Sequence, residues 1–334
     1  MMTTQEDTPN TYQKALESTN KQEWISAIEK ELMNMKNLNI WNVIDFKRGL
    51  QTTRLCPQGF TQTNGNDYNK TYAPTGCLNS LRTLIAHAVN NKLKFHQIDI
   101  KSAFLNAPLI EDVYLAIPQG INLDPRKQCL KLNKAIYGLK QAPLAWYQCL
   151  KEWLNKIGFS SCVLDPCVFY DLESNPTWLY IHVDDIAIFG KEVENFKDDI
   201  RKEFNIKDIG VADLMLGIKI NQNFNEISLN QQHFTESSLE LYGMAHCKSV
   251  ATPLLPHEHL LPASDKERED FKKLKINYRS VVGSINYLSV AARPDISFAV
   301  SALSQYLEKP GINHWNAFLH VLRYLRGSQE LGLI

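Results

Sequence analysis

Between Trp178 and Gly190 the chain reads Trp-Leu-Tyr-Ile-His-Val-Asp-Asp-Ile-Ala-Ile-Phe-Gly, with strand-forming residues pressed against both sides of Asp184 and Asp185. Such residues suit a pleated, buried strand, and the charged pair falls midway, so the spacing predicts a β-hairpin whose tight turn carries two carboxylates. Leaving a carboxylate unpaired beside buried strands is costly, which calls for something cationic at the turn. An Asp pair is also ordinary turn chemistry, because Asp bonds its own neighbouring backbone.

A third acid has similar surroundings. In Phe95-His-Gln-Ile-Asp-Ile-Lys101, Asp99 closes a short apolar strand and precedes Ser102-Ala-Phe-Leu105. Alone it reads equally as a strand end or a helix cap. Taken together, one distant and two adjacent carboxylates at the ends of apolar strands offer the oxygen ligands that a pair of hard divalent cations needs, with room for phosphate and water. Phosphoryl transfer is the chemistry this pattern points to.

At 334 residues and 44% apolar content the chain can bury a large core and is expected to divide into subdomains. Helical spacing is read at Trp24 to Met33, Ser80 to Val89, Trp146 to Ile157 and Glu194 to Phe204, with strands at Ile40 to Ile44 and around Phe95, Val168 and Trp178. Helices alternating with antiparallel hairpins predict an α+β fold. Residues 1–20 are polar and are expected to be disordered. The formal net charge is zero, yet residues 51–156 hold 13 Lys/Arg against 6 Asp/Glu, so a basic surface for nucleic acid is expected to be local.

Seven cysteines at irregular spacing, none in a Cys-x-x-Cys pair, argue against a disulfide framework or a zinc site and for free thiols in a reducing compartment. His257-x-His259 lies among prolines without a partnering Cys and reads as a solvated loop. The polar, acidic start shows no secretory signal, and the most apolar stretch, Val281 to Ala292, is too short to span a bilayer.

Several longer runs occur in a fixed order. They are Asp99-Ile-Lys-Ser-Ala-Phe-Leu-Asn106, Val113-Tyr-Leu-Ala-Ile-Pro-Gln-Gly120, Leu132-Asn-Lys-Ala-Ile-Tyr-Gly-Leu-Lys-Gln-Ala-Pro143, Ala145-Trp-Tyr147, His182-Val-Asp-Asp185 and Leu216-Gly-Ile218. From about Trp24 to its last residue the chain closely resembles the reverse transcriptase of copia-type (pseudoviral) LTR retrotransposons.

The resemblance implies a right-hand polymerase-like palm with partial fingers and a helical thumb and connection region. Its divisions would be a disordered leader at 1–20, an N-terminal helix and shortened fingers at 21–53, a fingers and palm core at 54–220, and a thumb and connection region at 221–334. It implies RNA-directed DNA polymerase activity, with nucleotidyl transfer from a dNTP to a primer 3′-hydroxyl.

Asp99, Asp184 and Asp185 would be the catalytic and metal-holding residues for two Mg²⁺ ions, with Mn²⁺ as a substitute. Phe104 would exclude a ribose 2′-hydroxyl, while Gln141, Lys140 and Arg54 would contact the incoming nucleotide. Leu216 and Gly217 would support the primer terminus. Tyr278, Gly283, Leu288, Arg293-Pro-Asp295, His314 and Arg323-Tyr-Leu325 match the family's connecting region. Implied partners are an RNA template, a DNA primer, dNTPs and the ribonuclease H and integrase segments of a Pol polyprotein, with no membrane. The expected location is a cytoplasmic virus-like particle or the nucleus.

Departures from the pattern carry expectations too. Only Phe46 to Thr53 fills a place where the family has a long fingers hairpin, so that of the hairpin's members the resemblance matches Arg54 alone, which predicts weak nucleotide binding or none. The alternative is a catalytically impaired remnant acting as a nucleic-acid-binding module. His182 stands where the family usually has Tyr. After Ser297 the only carboxylates are Glu308 and Glu330, too few for a ribonuclease H metal cluster, so that domain is expected to be absent.

Overall fold

The computed structural model describes residues 9, 11–46, 62, 65, 68–119, 121–173, 176–223, 226–256 and 259–334. Arg54, His257 and residues 47–53 of the shortened segment lie outside the described residues. By internal contacts the chain forms two units, one of residues 1–84 and 94–210, the other of residues 85–93 and 211–334.

In the first unit the helices are α1 (Tyr12–Glu17), α2 (Lys21–Asn37), α3 (Leu78–Asn91, shared with the second unit), α4 (Ala142–Lys156) and α5 (Val193–Glu203). Its strands are β1 (Trp41–Asp45), β2 (Lys94–Ile100), β3 (Tyr114–Leu115), β4 (Gln128–Leu132), β5 (Ser160–Ser161), β6 (Val168–Asp171), β7 (Thr177–His182), β8 (Asp185–Gly190) and β9 (Ile206–Val211). A six-stranded sheet runs in the order β5-β6-β7-β8-β2-β9, and a three-stranded sheet in the order β1-β4-β3.

Strand period 2 gives the six-stranded sheet two different faces. Ile98, Ile100, Leu179, Ile181, Ile186 and Ile188 share the main apolar cluster with Leu150, Trp153 and Leu154 of α4 and Phe196 and Ile200 of α5. Helix α4 forms because Trp146, Leu150, Trp153 and Leu154 recur at helical spacing, and Pro143 sits in its first turn, where a missing N–H costs nothing. Truncating a residue such as Leu150, 1% exposed, would cost about 2–5 kcal/mol.

On the alternate positions stand Phe95, Gln97 and Asp99 of β2, with Ala187 and Phe189 of β8. The Phe95 and Phe189 rings, register partners, stack at 4.4 Å. That face is crossed by the stretch before α3. Tyr180 donates to the Gly76 carbonyl at 2.8 Å, and a Cβ on Gly76 would meet the Tyr180 ring at 2.6 Å. Buried Asp165 fastens the same stretch by accepting from the Cys77 and Cys167 amides at 2.9 and 3.0 Å.

The second unit holds β10 (Leu214–Met215), β11 (Ile218–Gln222) and β12 (Ile227–Asn230), then helices α6 (Gln232–Leu241), α7 (Asp265–Lys273), α8 (Tyr278–Ala291), α9 (Ser297–Ser304) and α10 (Ile312–Gly327), and last β13 (Gly332–Leu333). Its sheet runs β10-β11-β12-β13. The helices bury a second cluster that includes Val281, Ile285, Leu288, Phe318 and Leu322. Ser264 caps α7 with a reciprocal Glu267 bond, and Asn277 caps α8.

Arg293, 1% exposed, is held by Asp295 at 2.7 and 3.0 Å and by the Ser328 carbonyl and hydroxyl at 2.8 and 2.7 Å. Tyr324 donates to the same Asp295 at 2.9 Å.

Helices and antiparallel sheets are mixed as an α+β fold requires. Two details differ from the sequence expectation. Within the stretch expected to be disordered, Tyr12–Glu17 is helical, started by Thr11, whose side chain accepts from the Lys14 amide, and anchored by buried Ala15. The expected division at 220/221 falls inside β11, whose ladder to β12 spans it; the compact division follows Gly210.

Candidate active site

Strand β2 pairs antiparallel with β8 so that Asp99 lies directly opposite Asp185, and the backbone N–H of Ile100 donates to the Asp184 carbonyl at 2.9 Å. Asp99, more than eighty positions from the other two in sequence, thus meets them at one end of two central strands. The cause is a hairpin of minimum length. His182 pairs with Asp185, leaving Val183 and Asp184 as its two turn residues.

Val183 has φ +60, the left-handed region that a β-branched residue enters only at a cost. A positive φ at the first of two turn residues is the geometry that glycine normally supplies in such hairpins.

The acids shape one another. Burial, followed by the charges of Asp184 and then Asp185, pushes the Asp99 carboxyl above its ordinary pKa. Crowded carboxylates of this kind are relieved by a proton or by a cation. Gln97, 3% exposed and two residues before Asp99, donates from Nε2 to Asp185 Oδ1 at 3.0 Å. Its own Oε1 is buried without a partner, as is Nδ1 of His182.

The donor set therefore suits a hard divalent cation by its chemistry. Among the described residues, however, no three His, Cys, Asp or Glu side chains stand close enough to grip a metal as they are now turned.

Phe104 lies on the 3₁₀ turn Ala103–Asn106 that follows Asp99, half-buried against the main cluster. Its ring meets that of Tyr137 at 4.8 Å. Tyr137 is 46% exposed. Burial, then the charges of Asp184, Glu31 and Asp99, raises its phenol pKa. Sequence reasoning missed Tyr137, although it stands inside the quoted Leu132 to Pro143 run. A groove of roughly 860 Å³ passes between α2 and the segment after Asp99, lined by Glu31, Asn34, Lys101, Ser102, Asn106 and Asn205 among others.

The other expected contacts have the following surroundings. Gln141 is 3% exposed, and its Oε1 accepts from Gln62 Nε2 at 3.1 Å. Lys140 donates from Nζ to the Gln62 carbonyl and the Tyr68 hydroxyl, each at 3.2 Å. Leu216 and Gly217 form the β10–β11 turn of the second unit with φ +52 and +69, and Tyr287 donates to the Leu216 carbonyl.

Comparison with known proteins gives this geometry a context. The family described as reverse transcriptase (RNA-dependent DNA polymerase) matches residues 30–256, and the chain belongs to that family. Its relatives place it in the copia-type retrotransposon branch. It is 31% identical to the retrovirus-related Pol polyprotein from transposon TNT 1-94 of Nicotiana tabacum, over 96% of this chain and 26% of that protein. It is 35% identical to the retrovirus-related Pol polyprotein from transposon RE2 of Arabidopsis thaliana, over 84% of this chain and 19% of that protein. The RE1 polyprotein of the same plant is 36% identical over the same shares. The chain thus spans about a fifth to a quarter of these relatives' length. Among the described residues no helix is long and apolar enough to cross a membrane.

Proposed function

We propose that this chain carries out RNA-directed DNA synthesis by two-metal nucleotidyl transfer, extending a DNA primer along an RNA template with dNTPs. The observation that carries the proposal is the β2–β8 register, which sets Asp99 opposite Asp185 and beside the Val183–Asp184 turn.

Asp99 and Asp184 would hold two Mg²⁺ ions, or Mn²⁺ in their place, and Asp185 is steadied by Gln97. When bound, such ions acidify a primer 3′-hydroxyl and neutralise a triphosphate.

The remaining roles belong to the chain's own groups. Phe104 and Tyr137 form an aromatic wall next to the acids, where a ribose 2′-hydroxyl is excluded by bulk. Lys140 and Gln141, which also hold Gln62 and Tyr68, would contact the incoming nucleotide, with Arg54 as a further phosphate contact. Leu216 and Gly217 support the primer end. In right-hand terms the six-stranded sheet is the palm, the N-terminal elements are partial fingers, and the α6–α10 region is thumb and connection. Ribonuclease H and integrase segments of a Pol polyprotein are the natural partners, in a cytoplasmic virus-like particle or the nucleus.

Primer extension on a poly(rA) template tests the proposal. Mg²⁺-dependent synthesis is expected from the wild-type chain, with dNTP needed well above the micromolar range if the shortened 46–53 segment weakens binding. The Asp184→Asn chain should show none, with unchanged far-UV circular dichroism. Equal rates in the two would refute it.

A further inference from the structure

The turn that carries Asp184 does not hold itself. Val183 is β-branched and sits at φ +60, so its conformation persists only where the surroundings enforce it. One side chain supplies that enforcement in plain view: the indole Nε1 of Trp146 donates to the Val183 carbonyl at 2.8 Å.

Trp146 comes from the first half of α4, is 2% exposed, and meets Phe204 edge to face at 5.3 Å. Phe204 in turn meets Trp153, two turns further along α4, at 5.5 Å. The ring is therefore clamped before it reaches the turn. An indole nitrogen can only donate, so the bond has one sense and fixes which way the Val183–Asp184 peptide plane faces. From the other side, the Ile100 N–H fixes the next carbonyl, that of Asp184, at 2.9 Å. Two consecutive carbonyls at the apex are thus tied to two different elements.

We propose that Trp146 is a positioning residue for the reaction: by holding the Val183 carbonyl it keeps the strained turn in the form that directs Asp184 toward its cation. The proposal rests on the reading of Asp184 as a metal-holding carboxylate. It concerns a residue that touches neither substrate nor metal.

The test uses the full chain in three forms, wild type, Trp146→Phe and Trp146→Phe/Val183→Gly. Phenylalanine keeps an aromatic ring in the clamp and removes only the donor and part of the volume. Glycine at 183 adopts φ +60 without strain, so the turn no longer needs the indole.

In Trp146→Phe, hydrogen exchange in peptides spanning 178–190 should quicken about 10-fold, while exchange in the α6–α10 region stays at the wild-type rate. The kcat for primer extension should fall about 10-fold or more, with the KM for primer–template unchanged, since a small misplacement of a reacting group is enough to produce such a loss. The double variant should recover both readouts toward wild type, which a simple packing defect at Trp146 would not do.

Wild-type exchange in the 178–190 peptides of Trp146→Phe would overturn the proposal. So would a double variant no better than the single one. If the wild-type chain extends no primer, the polymerase reading fails on its own, and the exchange measurement still decides the positioning claim.

Discussion

Replacing Asp99 by Asn exchanges a carboxylate for a neutral group of nearly the same shape, and the expected consequence is opposite in sign to that of most buried-site mutations. Asp99 lies across the ladder from Asp185, with Asp184 at the adjoining turn. Two unit charges about 6 Å apart repel by about 0.7 kcal/mol in bulk water and about 2.8 kcal/mol at an effective dielectric of 20. All three acids are part-exposed, so screening brings the relief in the Asp99→Asn chain to about 1 kcal/mol, or roughly 2–4 °C in Tm for a unit of this size.

The sign follows from linkage as well. The folded pKa of Asp99 is raised by burial and its two acidic neighbours, so the folded state binds this proton more tightly than the unfolded chain does. That contribution is fully present below the ordinary carboxylate pKa and is lost as pH rises through the folded value. The stability of metal-free wild type relative to Asp99→Asn should therefore fall on going from acid to neutral pH. Adding Mg²⁺ at ten times its Kd stabilises the wild type by about 1.4 kcal/mol, while the variant, short of one ligand, gains less.

Thermal unfolding of both chains in EDTA and in Mg²⁺ reads this directly. The variant should melt higher in EDTA and the order should close or reverse in Mg²⁺. A variant that melts lower than wild type in EDTA would refute the reasoning, because Asp99 would then be making stabilising contacts instead of repulsive ones.

Two further outcomes are expected. Tyr137→Ala opens the wall beside Phe104, so steady-state kinetics should show a KM for dNTP raised about 10-fold and weaker discrimination against ribonucleotides, an effect of the roughly 1–3 kcal/mol that a pocket's apolar contacts provide; unchanged nucleotide kinetics would remove Tyr137 from the site. Asp295→Asn leaves the buried Arg293 guanidinium without its counter-charge, which should cost about 3–5 kcal/mol in chemical denaturation. Burial opposes the Asp295 charge, but hydrogen bonds from Arg293 and Tyr324 outweigh it and hold its pKa below the usual range. The advantage of wild type over the Asp295→Asn chain is accordingly present above the ordinary carboxylate pKa and should shrink as pH falls through the folded one; an advantage that does not change with pH would contradict it.

The hairpin with its two acids was legible because apolar, β-branched and aromatic residues run unbroken up to Asp184 on one side and Asp185 on the other. Asp99 could be placed at a strand end for the same reason, and the Trp146 to Ile157 periodicity does belong to a helix. What sequence could not supply was direction and partnership. Gln141 has the look of a surface donor, yet tertiary packing turns it inward to Gln62. Tyr137 has the look of a core aromatic, yet stands half in solvent against the Phe104 ring. Lys197 would be assigned to an exposed helix face, but it is 2% exposed between Glu194 at 3.1 Å and Asp208 at 2.9 Å, with the second partner contributed by a different element. Helix α1 gave little signal because a six-residue helix with one buried alanine has almost no periodicity to read.

The two-faced character of β2 has a consequence for how this protein can vary. Odd-numbered positions along it, Phe95, Gln97 and Asp99, share the face that carries Asp185, whereas His96, Ile98 and Ile100 lie on the opposite face, with the isoleucines in the main cluster and His96 touching Lys197 at 2.9 Å. One short strand thus writes two independent messages, and a library randomised at every second codon would retune one while leaving the other word for word intact.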